Sequence, residues 1–242
     1  MQQAKKIRSA VGIVLAYVVF AAAPALGATI VVWDVASATG QTVSVSMNAA
    51  NTSASIIDSV GVSQWTSTAE NGFVAASNWA PGLSRDPGKY YQFSLTADPG
   101  FQITYQTLDL ALFRGIQGAN HGAQRWDLYA STNAFASSEM LITSFDISGS
   151  SGDFQTQFLA TDISVIGTVQ NTVTFRLFGY DYTSPADFSG LGNDSGWLIS
   201  GTGSNVVLDG TVSAVVPTPE PGTALLALTG LFVLAFVGRS RR

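Results

Sequence analysis

The chain has 242 residues, 46% of them hydrophobic and only 11% charged, with a formal net charge of −5. Fourteen Phe, seven Tyr and five Trp supply material for a core and exclude a disordered chain. The absence of cysteine excludes disulfides, thiolate metal sites and cysteine nucleophiles, a single histidine excludes a multi-histidine zinc site, and the acidic balance argues against nucleic acid.

The first element is an address. Lys5, Lys6 and Arg8 form a basic head, and an apolar run of about 13 residues follows from Val11 to Ala23. The segment closes with Pro24-Ala25-Leu26-Gly27-Ala28. These are the three parts of a secretory signal peptide. Ala25 and Gly27 fit the narrow pockets of a signal peptidase, which predicts a signal segment over 1–27 and cleavage before Ala28. The alternative, an uncleaved anchor, needs about 20 apolar residues, more than the run offers.

From 28 to 213 the pattern is two-residue alternation broken by turns. Val43, Val45 and Met47 alternate with Thr42, Ser44 and Ser46. Tyr91, Phe93 and Leu95 alternate with Gln92, Ser94 and Thr96, and Val173, Phe175 and Leu177 with Thr172, Thr174 and Arg176. Each run reads as a half-buried strand. Between Phe101 and Phe113, Ile103 and Tyr105 share one parity while Leu108, Leu110 and Leu112 share the other. This phase switch predicts a β-bulge near Gln106-Thr107. Asn71-Gly72, Asp86-Pro87-Gly88, Asp98-Pro99-Gly100, Ser151-Gly152 and Asp209-Gly210 read as turns. About nine strands without an amphipathic helix or a fixed repeat predict an all-β, antiparallel two-sheet sandwich of jelly-roll type.

Candidate chemistry in this body is sparse. It carries five basic residues (Arg85, Lys89, Arg114, Arg125, Arg176) against fifteen acids, every acid of the chain except Glu220. His121 stands in a polar Gly-Ala-Asn-His-Gly loop, and Ser195 lacks the setting of a nucleophile elbow. No serine, histidine or carboxylate pair is singled out, so no catalytic residue is assigned; a polysaccharide hydrolase with an acidic pair remains the alternative. No cofactor is assigned either. A structural calcium would suit the oxygen-rich stretches Asn193-Asp194-Ser195 and Asp181 through Asp187, with turn-capping carboxylates as the simpler account. Trp79, Trp126 and Trp197 could stack on sugar rings or fill the core. Trp126, in register with Leu128 and Ala130, reads as core. Trp79, in the loop-like Ser77-Asn78-Trp79-Ala80-Pro81-Gly82, is the candidate for glycan contact, although packing is the preferred account even there.

The last element, 214–242, is a second address. Val215-Val216-Pro217-Thr218-Pro219-Glu220-Pro221 is an extended, proline-stiffened strip. An uncharged run from Gly222 to Gly238 follows, about 25 Å long as a helix. Arg239-Ser240-Arg241-Arg242 ends the sequence and acts as a cytoplasmic stop, so a membrane-spanning segment over 222–238 places the body outside. Pro219-Glu220-Pro221, the apolar segment and the basic end together resemble the PEP-CTERM protein-sorting domain, also labelled an ice-binding protein C-terminal domain. The resemblance covers about the last 27 residues. It implies processing near Pro219–Pro221 by an exosortase in the inner membrane of a Gram-negative bacterium. Delivery to the cell surface or an exopolysaccharide matrix would follow. Ice binding is not expected, because the chain lacks a sustained Thr-x-Thr array.

Three body segments, Lys89–Gly100, Arg125–Ser131 and Thr174–Tyr180, resemble strands of the galactose-binding-like sandwich found in PEP-CTERM ectodomains. No activity follows from that resemblance. The resulting expectation is an exported, non-enzymatic surface or matrix protein with a structural or glycan-binding sandwich. A permanently anchored single-pass membrane protein is a further alternative.

Overall fold

The computed structural model describes residues 27–35, 38, 42–65, 73–117, 120–147, 154–183, 189–192 and 205–216. Ala25, the sorting strip Pro219-Glu220-Pro221, the 222–238 run, Arg239, Arg241 and Arg242 lie outside them, as do Asp187, Asn193–Ser195, Trp197 and two of the expected turns. Among the described residues, no helix is long and apolar enough to cross a membrane.

Sixteen strands are present among the described residues, more than the nine expected. In chain order they are β1 (Ala28–Trp33), β2 (Val45–Asn48), β3 (Thr52–Ala54), β4 (Asp58–Val60), β5 (Ser63–Trp65), β6 (Phe73–Ser77), β7 (Tyr90–Ala97) and β8 (Phe101–Gln117). Then come β9 (Asn120–His121), β10 (Arg125–Ser131), β11 (Met140–Asp146), β12 (Phe154–Asp162), β13 (Thr168–Val169), β14 (Thr172–Tyr180), β15 (Ser189–Gly192) and β16 (Val206–Ala214). The excess consists of two- to four-residue pieces, which pair with longer strands and carry too few residues for a legible alternation. Val43-Val45-Met47 shows this: Val43 forms only an isolated bridge to Ile57, and Met47 is exposed at the end of a short β2.

Every ladder is antiparallel, and the strands form two sheets. The six-stranded sheet runs β11-β10-β14-β7-β3, with β4 also on β7. Its three central strands are the three segments on which the body resemblance rests. The ten-stranded sheet is built on the 17-residue β8. Along β8, β12 pairs with Thr107–Gly115, while β16 pairs with Phe101–Asp109 and β15 with Leu112–Arg114.

The inward parities of both sheets form one core. Tyr91, Phe93 and Leu95 face Val173, Phe175 and Leu177 within the smaller sheet, and all are buried with Trp126 and Leu128. Across the interface, Trp33 of β1 meets the Phe93 ring at 4.9 Å, and Tyr105 of β8 meets Phe175 at 6.1 Å. Offset and edge-on ring pairs of this kind add about 0.5–1.5 kcal/mol each beyond the area they bury.

The expected bulge is present. Tyr105 pairs with Gly210 and Thr107 with Asp209, so Gln106 is the extra residue, and Ile103, Tyr105, Leu108, Leu110 and Leu112 all reach the core. The Gln106 carbonyl, withdrawn from the β16 ladder, accepts from the Ile163 amide at 2.9 Å. Asp209-Gly210 corrects the turn reading: it lies inside β16, opposite the bulge. A Cβ on Gly210 would stand 2.3 Å from the Thr104 carbonyl oxygen, so the glycine serves backbone approach there. The other two described turns form as expected. Phe101 N–H donates to the Asp98 carbonyl with Gly100 at φ +85°, and Asp86 Oδ1 accepts from Gly88 N–H at 2.9 Å.

Candidate functional site

The residues singled out for chemistry are mostly absorbed by the fold. Trp79 corrects the glycan-contact reading. It is fully buried, its indole N–H donates to the Ala76 carbonyl, and its ring lies 4.9 Å from Trp126 and 5.2 Å from Tyr91. Gly179 makes room for it, since a Cβ there would stand 3.0 Å from the indole. A large apolar ring beside a glycine gap gains more by filling the core than by facing water. Trp126 is core, as expected.

His121 belongs to the short β9 rather than to an open loop. Its amide donates to Thr183 Oγ1 at 2.7 Å, and its Nδ1 stands 2.9 Å from the Gly122 carbonyl. Asp181, at φ +64°, is ion-paired with Arg125 at 3.2 Å. Among the described residues, no three or more His, Asp or Glu side chains converge as a metal site. Asp109 and Asp209 are diagonal neighbours on the outer face of the larger sheet, and one oxygen of each is shut off from solvent without a partner among the described residues. Desolvation, then the Asp209 charge, holds the Asp109 carboxyl above its ordinary range.

The richest polar and aromatic arrangement lies on the outer face of the smaller sheet, at positions the alternation assigns to solvent. Here β7 contributes Tyr90 and Gln92, β10 contributes Asp127 and Tyr129, and β14 contributes Arg176, Phe178 and Tyr180. Tyr90, Phe178 and Tyr180 are buried, yet they stand outside the main core cluster. Two loops cover this face. The loop before β7 lays Arg85 over Tyr129 and Phe178, with its guanidinium carbon 3.9 and 4.7 Å from the ring centres. The loop after β10 brings Phe135 over Arg176.

The result is a ladder of alternating rings and cations. Tyr129 and Phe178 meet edge-on at 5.6 Å, and Phe178 meets Tyr90 at 5.4 Å. The Arg176 guanidinium carbon is 4.2 Å from both the Tyr90 and the Phe135 centroids. Both forks of Arg85 engage Glu139, which ties the two loops together. Desolvation opposes the Arg85 charge, and the Glu139 hydrogen bond with nearby Tyr129 and Asp127 more than offsets it. Asp127 Oδ1 accepts from Ser144 at 2.6 Å and from the Tyr180 hydroxyl at 3.2 Å. Burial, then Asp127, pushes the Tyr180 phenol up to about 12.

Alternation alone could have flagged this face. Aromatic residues at 90, 129, 178 and 180 occupy the wet parity, where rings are out of place unless something covers or uses them. Chemically, such a face offers the partly exposed rings of Tyr129 and Phe135 for sugar C–H contacts, and amide, carboxylate and guanidinium groups for hydroxyls and acids. Comparison with models of protein families and with curated proteins finds no match to the chain.

Proposed function

We propose that the protein is an exported, non-enzymatic component of the cell surface or exopolysaccharide matrix of a Gram-negative bacterium. An exosortase sorts it through Pro219-Glu220-Pro221 from an inner-membrane precursor, and its sandwich serves a structural or glycan-binding role. The observation that carries this reading is the order of the last residues: proline strip, uncharged run of spanning length, arginine cluster. The jelly-roll or galactose-binding-like class of the sandwich, the N-terminal signal helix and the C-terminal transmembrane helix belong to the same reading.

The fold supports it in two ways. Among the described residues the first strand begins at Ala28, the residue after the expected signal cleavage, and the last ends at Ala214, just before the proline strip. The start of β1 and the end of β16 also lie at one end of the sandwich. Ala28 pairs with Gly210, and Val215 N–H donates to the Gly100 carbonyl five residues beyond the end of that pairing. At about 3.3 Å per residue the two exits are roughly 17 Å apart along β16, so a single bilayer could hold both.

The test is to express the full chain and a Pro219–Pro221 deletion in an exosortase-bearing host. The intact form should lose its tail and leave the membrane, while the deletion should keep the tail mass and stay. Equal retention and equal mass in both would refute the sorting claim.

A further inference from the structure

We propose that Arg176 is a receptor for the carboxylate of an acidic sugar, a proposal that rests on the glycan-binding reading of the sandwich and specifies its ligand. Arg176 is half-buried, its guanidinium carbon lies 4.2 Å from the ring centres of both Tyr90 and Phe135, and its Nε donates to Gln92 Oε1 at 2.9 Å. Among the described residues no carboxylate lies within ion-pair distance of it. Two ring contacts and the Gln92 hydrogen bond restrain the guanidinium, so part of the conformational cost of presenting its fork to a ligand is already met by the fold.

The same face shows how such a fork is used. Arg85, seated on Tyr129 and Phe178, takes the Glu139 carboxylate through both terminal nitrogens. Arg176 repeats the seat without the acid. An incoming carboxylate would do for Arg176 what Glu139 does for Arg85, with a sugar ring laid against the partly exposed ring of Phe135.

The loop that supplies Phe135 carries an independent signal. Ala134 and Phe135 both adopt positive φ, +54° and +63°, and Ala136 N–H donates to the Asn133 carbonyl at 3.1 Å. This is the pattern of a type I′ turn, normally made by Asn-Gly, and each L-residue in it costs about 1–2 kcal/mol. Ser131 Oγ holds the strained loop by accepting from Asn133 N–H and Phe135 N–H and donating to the Ser138 carbonyl. Strain kept at the residue that covers Arg176 marks the position as used.

Charge narrows the ligand. Fifteen acids against five bases in residues 28–213 repel a densely charged polyanion, and an acidic peptide equally. An isolated uronate on a neutral glycan meets the fork with little of that repulsion.

The experiment titrates the full chain in detergent with a glucuronate-bearing xylo-oligosaccharide and with its carboxyl-reduced form. The acidic form should bind at least about tenfold more tightly, and Arg176→Gln and Arg176→Lys should each remove the difference, with near-UV circular dichroism confirming that the aromatic face stays packed. Should neither variant fold, the two ligands on the wild-type chain still decide. Equal affinity for both oligosaccharides would overturn the carboxylate site while leaving glycan binding standing. Failure of every neutral and acidic glycan to bind would overturn both. Arg176-dependent binding of poly-glutamate without binding of the oligosaccharide would also overturn the proposal, in favour of a protein partner.

Discussion

Individual side chains in this sandwich differ sharply in how well their polar atoms are served. The Tyr105 hydroxyl is buried with no partner among the described residues, whereas the Tyr180 hydroxyl donates to Asp127. Tyr105→Phe should therefore be neutral or stabilising by up to about 1 kcal/mol, and Tyr180→Phe should cost about 1–2 kcal/mol, both read by urea unfolding. Asp109 predicts a pH effect of defined sign. Its carboxyl titrates above the ordinary range in the folded protein, chiefly through desolvation. Folding is thus favoured while the group is protonated, and that advantage is lost as pH rises through the raised value. Asp109→Asn should raise the melting temperature at pH 7 and leave it unchanged below about pH 3.5. At this scale the sequence was least legible. In the sequence Trp79 is the candidate for glycan contact because Asn, Pro and Gly surround it, although packing is the preferred account. Its burial depends on Gly179, a hundred residues away, and on the neighbouring Trp126 and Tyr91 rings.

Elements were far more legible, because alternation and turn chemistry are local. The core parities of β7 and β14 and the bulge of β8 could all be read from hydrophobic phase. Asp209-Gly210 could not, since the same dipeptide serves a turn or a bulge partner and only the strand it meets decides. Gly210→Ala would press a methyl group against the Thr104 carbonyl and Ile30, and should destabilise by about 1–3 kcal/mol without altering far-UV circular dichroism. The Ala134-Phe135 turn predicts the opposite: Ala134→Gly removes a left-handed alanine and should stabilise by about 0.5–1 kcal/mol in the same assay. Alternation marks the wet-parity rings at 90, 129, 178 and 180 strand by strand, but not the ladder they build with the cations, because nothing local announces that β7, β10 and β14 lie side by side.

For the whole molecule, two sheets and a single core followed from composition and period, while the strand order did not. The pairing of β1 with β16 joins segments separated by most of the sequence, and the short turn at Asp98–Gly100 carries the chain from one sheet to the other without announcing it. The molecule-scale prediction is a mass: the exported body should begin at Ala28, measured by intact mass spectrometry of the secreted species, and a form retaining residues 1–27 would contradict it. The pairing of β1 with β16 also has a mechanical meaning. In a precursor held at both ends, lateral tension between the two tethers would act at the Ala28–Gly210 end of that ladder and open it like a zip, one rung at a time, instead of sliding the strands in shear. If the proposed precursor is held in this way, cutting either tether removes the load path, and the ladder of the freed body is no longer pulled along its weakest direction.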